Sequence, residues 1–408
     1  MKFAKRLDEV PPYLFAELER KIAHKRREGV DVISLGIGDP DLPTPEPVVS
    51  ALAAAARDPA THQYPTNHGS DAFRDAVAGF YRDRFRVELD PASEIVPALG
   101  GKEAVAHVSL ALLDPGDVCL SPDRGYPPYT SGPVFSGAEV HYLPLEEANG
   151  FLPDLDAIPE DVLRRANLLF LNYPNNPTGA VVADGYFGRA VELARANDLV
   201  VVHDNAYSEV CFDGYRAPSF LETPGAKEVG IEIFSLSKGW NMTGWRAAWI
   251  AGNAEVVERY RHLKTNLDSG MFDAVQRAAI AALTEARDFP REMSQVYQRR
   301  RDLVAEGLRA IGLHVEPPRA TPYFWVRVPE GHTSASFAEL VLDRANVVIS
   351  PGGAYGPSGE GFVRISLTVA DDRLEEAVDR IATLRSVAQG EVGRPVISDG
   401  RAGGARTS

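Results

Sequence analysis

Cysteine is scarce: only Cys119 and Cys211 occur in 408 residues, and each lies inside an apolar run. Two isolated thiols make neither a disulfide framework nor a CxxC metal pair, and they are expected to be buried and free. Positive charge is also in deficit. The formal net charge is −14, which argues against a nucleic-acid or anionic-membrane partner, because both select for basic patches. No apolar run approaches the roughly 20 residues that a membrane span requires. The start, "MKFAKRLDEVPPY", lacks the apolar core of a signal peptide, so a cytoplasmic location is expected. Familiar phosphate and metal signatures are missing as well. There is no HExxH pattern. "GIGDPD" has Asp41 where a dinucleotide fingerprint has its third glycine, and in "VPALGGKE" Val96 and Glu103 break the P-loop pattern.

What remains is an ordinary globular composition, 44% hydrophobic and 25% charged, long enough for two or three domains. Residues 15–28 read as an amphipathic helix, followed by a short strand and a Pro-rich connection. From 46 to 285, helical patterns alternate with continuous apolar runs: "NLLFLN" (167–172), "LVVVHD" (199–204), "IEIFSL" (231–236) and "AAWIAG" (247–252). Runs of this kind suit strands buried on both faces, which makes the fold class α/β with a mainly parallel sheet. Residues 286–388 read as a smaller α+β domain with a long charged helix and two strand signals, "YFWVRV" and "FVRISLT". The segment 1–45 serves as an N-terminal arm that completes this smaller domain. The Gly- and Arg-rich end, 389–408, reads as a disordered tail.

In open α/β sheets, ligands sit beyond the carboxyl ends of the strands. Three runs end in polar residues: Asn176 in "YPNNPTG", Asp204 with Tyr207 in "DNAY", and Lys238 in "SLSKGW". Each alone is turn chemistry or a solvated lysine; together they suit pyridoxal phosphate. The lysine forms a Schiff base with the aldehyde and then shuttles protons, while the carboxylate keeps the ring nitrogen protonated. Asn176 and Tyr207 can hydrogen-bond the phenolic oxygen. Gly100 and Gly101 open an apolar-periodic helix whose free amides and dipole favour a phosphate, with Lys102 beside them. Ser235, Ser237 and Arg246 can add donors. Tyr126 is a candidate to stack on the ring. Arg364, amid apolar residues, is read either as a salt-bridge partner or as a bidentate clamp on a substrate carboxylate.

The set "NNPTG", "DNAY" and "SLSKGWNMTGWR" resembles the class I/II aminotransferases of fold type I, and the likeness covers nearly the whole chain. It implies a large domain with a mainly parallel seven-stranded sheet, a smaller α+β domain, and pyridoxal 5'-phosphate as cofactor. It implies Lys238 as the Schiff-base lysine, Asp204 at the ring nitrogen, and Asn176 with Tyr207 at the phenolic oxygen. Ser235 and Arg246 would hold the phosphate, and Arg364 with Gly38 the substrate carboxylate. Tyr64 would reach the phosphate of the neighbouring subunit in a homodimer. An amino acid and a 2-oxo acid are the implied substrates.

Within that family the chain looks most like LL-diaminopimelate aminotransferases, from which it departs at Gly101, at Gly239-Trp240 and at His68. A larger indole and a lost carboxylate near the pocket predict poor use of a substrate with a second ammonium group. Two other readings stay open at this point. One is different chemistry on the same cofactor, such as elimination, replacement or carbon–carbon bond formation. The other is a binding module that has kept the fold, which an intact Lys238–Asp204 pair and the acidic charge disfavour.

Overall fold

The computed structural model describes residues 1–10 and 14–384, so the expected disordered tail at 389–408 lies outside the described residues. Helix Leu14–Arg27 leads to a two-residue strand, β1 (Ile33–Ser34). Seven strands then form the main sheet: β2 (Ile95–Ala98), β3 (Val118–Asp123), β4 (Glu139–Pro144), β5 (Ala166–Leu171), β6 (Val200–Asp204), β7 (Gly230–Ser235) and β8 (Ala248–Gly252). Their spatial order is β2-β8-β7-β6-β5-β3-β4. The sheet is parallel from β7 through β4, whereas β8 runs antiparallel to both its neighbours, β2 and β7. This is the expected mainly parallel seven-stranded sheet.

Its central strands are mostly apolar because helices cover both faces, with the buried His203–Glu232 pair of β6 and β7 as an exception. Leu168 and Phe170 pack into one core with Val202, Ile231 and Ile250, while Leu169 and Leu171 point into another with Val201 and Phe234. Alternation along a strand therefore sends side chains to two dry faces, and no polar face is left to write into the sequence.

A second core forms around β9 (Tyr323–Arg327), β10 (Val347–Val348), β11 (Ser350–Pro351) and β12 (Phe362–Ser366). Strands β11, β12 and β9 make an antiparallel sheet, and β10 pairs in parallel with β1. Helix Phe289–Ala310 supplies Tyr297, Val304 and Leu308 to this core, and the N-terminal segment supplies Ile33 and Leu35. The sequence signalled β9 and β12; β10 and β11 are two residues each, too short to carry a period.

The topology matters for one reason. The carboxyl ends of the adjacent strands β5, β6 and β7 open onto a single cavity of about 320 Å³, which is also lined by Tyr323 of β9, Arg364 of β12 and Tyr355 of the turn between β11 and β12.

Candidate active site

The loop after β5 is built on asparagine side chains. Asn172 accepts from the backbone N–H of Asn176 at 2.9 Å and donates to the Asp204 carbonyl at 2.8 Å. Asn175 accepts from both the backbone N–H and the hydroxyl of Thr178. These bonds fix Asn176 so that its Oδ1 faces Arg364 Nη1 at 2.8 Å. Arg364 also donates to the Gly36 carbonyl at 2.8 Å, and its guanidinium lies 4.2 Å from the Tyr323 ring centroid. Carbonyl oxygens and an aromatic face orient the cation toward the cavity, which suits a carboxylate clamp.

Asp204 ends β6 and is almost fully buried. Its Oδ2 accepts from Tyr129 at 2.7 Å, whereas its Oδ1 is buried without a hydrogen-bond partner. Burial pushes its pKa up to about 6, against the lowering effect of the Tyr129 bond and of neighbouring His203. A buried carboxylate oxygen with no donor is costly unless a ligand supplies one. A protonated pyridine nitrogen is such a donor. Tyr207 sits beside Asp204 in the same loop, its hydroxyl 3.2 Å from that of Tyr323, and burial holds its pKa well above the usual phenol value.

Lys238 lies in the short helical turn after β7, and its Nζ donates to the Gly38 carbonyl at 2.5 Å. Gly38 is required there: a Cβ would fall 2.1 Å from the Tyr323 hydroxyl. At the opposite end, Gly100 caps helix Gly101–Leu112 with φ +93°, and a Cβ would lie 2.0 Å from Arg246 Nη2. The bare glycine thus lets a guanidinium approach the helix N-terminus, where free amides and the dipole already favour an anion. Ser235 and Ser237 hydrogen-bond each other at 2.9 Å on the wall of the same cavity. A carboxylate oxygen lacking a donor, a lysine amine and an anion cradle in one cavity fit pyridoxal phosphate.

The match to the "Aminotransferase class I and II" family model runs from residue 30 to 381. The chain belongs to the class I and II aminotransferases. An LL-diaminopimelate aminotransferase of Moorella thermoacetica is 56% identical over 381 residues, covering 93% of this chain and 98% of the relative. One from Dehalococcoides mccartyi is 52% identical over 388 residues, covering 95% and 100%. Among solved structures, a substrate-bound BacF from Bacillus subtilis superposes with a TM-score of 0.91 at 36% identity, covering 94% of this chain and 98% of that one. A probable N-succinyldiaminopimelate aminotransferase from Thermus thermophilus gives 0.86 at 39% identity, covering 91% and 99%. The chain is therefore a pyridoxal-phosphate-dependent aminotransferase, acting on an amino acid and a 2-oxo acid. No helix among the described residues is long and apolar enough to cross a membrane.

Of the site residues read from the sequence, the cavity gathers Gly38, Gly101, Lys102, Tyr126, Asn176, Asp204, Tyr207, Ser235, Ser237, Lys238, Arg246 and Arg364. Gly100 adjoins it through Arg246. Tyr64 does not line it; its side chain is 89% exposed. Sequence reasoning missed Tyr129, Asn172, Tyr323 and Tyr355. Asn172 is the last letter of "NLLFLN" and obeys the same strand-end rule that singled out Asp204. Tyr129 lies three residues after Tyr126, at the start of helix Pro128–Ser136. The two tyrosines from the elements around the second core carried no signal before that core was placed.

The expected pocket alterations need correction. Trp240 is not in the cavity: its indole is 1% exposed, packs edge-on to Phe80 in the sheet's hydrophobic core, and donates to the Ala286 carbonyl at 3.0 Å. Gly239 answers a packing need, since a Cβ would lie 2.9 Å from that of Glu209. His68 is exposed, faces Arg261, and does not line this chain's cavity. The helical turn after β7 carries Lys238 toward the cavity and Trp240 away from it, so nearness in sequence misled. Gly101 has room for a larger residue, its nearest neighbour being Ile233 at 3.9 Å. Trp240→Phe is accordingly expected to lower stability by about 1–3 kcal/mol, through lost packing and the lost indole hydrogen bond. Thermal melts should show that loss while KM for the amino donor stays put; a changed KM with an unchanged melt would return Trp240 to the pocket.

Proposed function

We propose that the chain transaminates LL-diaminopimelate with a 2-oxo acid such as 2-oxoglutarate. The observation that carries this reading is the 56% identity to an LL-diaminopimelate aminotransferase over nearly the full length of both chains. Supporting it, Glu19 and Asp39 also line the cavity, so carboxylates stand on the same walls as Arg364 and can answer a second ammonium group. The charge objection drawn from His68 thereby loses its force.

In this reading, the bound cofactor supplies an electrophilic carbon and an electron sink for the substrate's α-carbon. Gly100, Gly101, Lys102, Ser235, Ser237 and Arg246 hold its phosphate, and Tyr126 covers its ring. Asp204 presents Oδ1 to the ring nitrogen and keeps a proton there; Asn176 and Tyr207 face the phenolic oxygen. Arg364 grips the substrate α-carboxylate beside Gly38. Lys238 carries the cofactor at rest and afterwards moves a proton at Nζ. Tyr64 extends to the cofactor phosphate of a neighbouring copy in a homodimer. A large domain of about 46–285, a smaller one of 286–388 completed by the arm 1–45, and a cytoplasmic location complete the proposal.

The test is a panel of amino donors assayed with 2-oxoglutarate. LL-diaminopimelate is expected to give the highest kcat/KM, by about tenfold or more over aspartate and the aromatic amino acids, because one charge-assisted contact contributes that much. A tenfold preference for another donor would overturn the substrate while leaving the family intact.

A further inference from the structure

The phosphate end of the cavity depends on a turn with little stiffness of its own. Leu99-Gly100-Gly101 contains two glycines, and Gly100 holds φ +93° and ψ 156°. Glycine loses more freedom than any other residue when it is fixed, so this turn needs bracing from outside if its amides are to be in place before an anion arrives.

Glu103, in the first turn of helix Gly101–Leu112, reaches back to accept from the Leu99 N–H at 3.0 Å. The carboxylate is in turn gripped from a second helix, Ala254–Leu267. Tyr260 donates to it at 2.8 Å, and the fully buried Lys264 at 3.3 Å. His107, one turn on, lies 2.5 Å from the same carboxylate. Burial alone would raise the Glu103 pKa, but His107 and Lys264 hold it below the usual carboxylate value, so it is ionised at neutral pH. Lys264 is itself anchored to Asp268 at 2.7 Å. Glu103, His107 and Asp268 are close enough together to suggest a metal ion, but the Lys264 ammonium already lies among them. A fully buried lysine bracketed by two carboxylates is costly to build.

We propose that Glu103, held by Tyr260 and Lys264, is a positioning residue for cofactor binding: it fixes the Leu99 peptide and so aims the Gly100–Gly101 turn at the phosphate. It touches neither cofactor nor substrate. The inference rests on assigning the phosphate to Gly100, Gly101 and Arg246.

A merely structural staple and a phosphate positioner differ in one measurable respect. Loss of a staple weakens the binding of every ligand of the cavity together. Loss of the positioner weakens only ligands with a phosphate. The cofactor-free full-length chain is titrated with pyridoxal phosphate and, separately, with pyridoxal. Glu103→Ala should raise Kd for pyridoxal phosphate about tenfold or more, the scale of one charge-assisted hydrogen bond, and leave Kd for pyridoxal within about twofold. Glu103→Gln keeps an oxygen for the Leu99 N–H and should recover part of the loss. Tyr260→Phe removes one grip, and should shift Kd the same way by a smaller factor even if the alanine variant fails to fold. Arg246→Ala is the reference. If it also weakens pyridoxal phosphate selectively, the phosphate is where it was placed, and equal losses for both ligands in the Glu103 and Tyr260 variants would overturn the positioning role. If Arg246→Ala shows no selectivity, the phosphate assignment itself fails.

Discussion

Lys238→Ala is expected to lose at least about a thousandfold in turnover while still binding pyridoxal phosphate. Both the covalent link and the proton carrier depend on this amine, and positioned acid–base catalysis alone contributes about 10²–10⁴-fold. Asp204 and most of the proposed phosphate cradle, from Gly100 to Lys102 and at Arg246, stand on other elements, so affinity should fall far less than rate. Borohydride reduction and peptide mapping identify the lysine directly. Three lysines compete on paper, and the geometry separates them. Lys264 is fully buried between Glu103 and Asp268, so its amine is spent on ion pairs. Lys102 lines the cavity but follows the glycine turn at the phosphate end. Only Lys238 follows the strand next to the one that carries Asp204. A pyridoxyl label on Lys102 or Lys264 would refute the assignment.

Asp204→Asn should separate catalysis from stability, moving them in opposite directions. An amide cannot hold a proton on the ring nitrogen, so kcat should drop by about a hundred- to a thousandfold, the scale of one preorganised charge contact. The cofactor-free protein should meanwhile become more stable. In the folded chain the Asp204 pKa is raised from 3.8 to about 6, chiefly by burial. The folded state then binds this proton more tightly than the unfolded state does. The carboxyl's contribution to stability is therefore greatest at low pH, and is lost as pH rises from about 4 through 6. Asparagine removes that penalty. Above pH 6 the cofactor-free variant should exceed wild type by on the order of 2–3 kcal/mol, and near pH 4 the two should melt alike. Melts at pH 4.5 and pH 8 test the sign. Near-normal activity would show that Asp204 is only a cap on its strand.

How much was legible beforehand depended on whether a residue's task is local. The runs at 167–172, 199–204, 231–236 and 247–252 are strands within a residue or two, because strands buried on both faces advertise themselves as unbroken apolar stretches. The residues just past them, Asn176, Asp204, Tyr207 and Lys238, were legible because a strand end in such a sheet has one destination. Trp240 was misread for the opposite reason. A short turn changes direction within two residues, and only the fold decides which side chain meets the ligand. Tyr129, which holds the carboxylate, and Tyr323, which backs both Gly38 and Arg364, act through partners 41 to 285 positions away in the chain. No window of sequence contains such a pair. The Glu103–Lys264 contact spans 161 positions and was hidden in the same way.

The clamp proposed at Arg364 bears on how the enzyme comes into being. Its guanidinium is held by the Gly36 carbonyl, 328 positions earlier, and by Asn176, 188 positions earlier. The residues proposed to hold the cofactor within this chain all lie between Gly100 and Arg246, on the first sheet. Domains form as units, the N-terminal part first, while the chain is still being made. A nascent chain released to about residue 290 carries every one of those cofactor ligands but has no grip on a substrate carboxylate. The order of synthesis therefore completes the proposed cofactor ligands well before the proposed carboxylate clamp, which waits for the strand that carries Arg364.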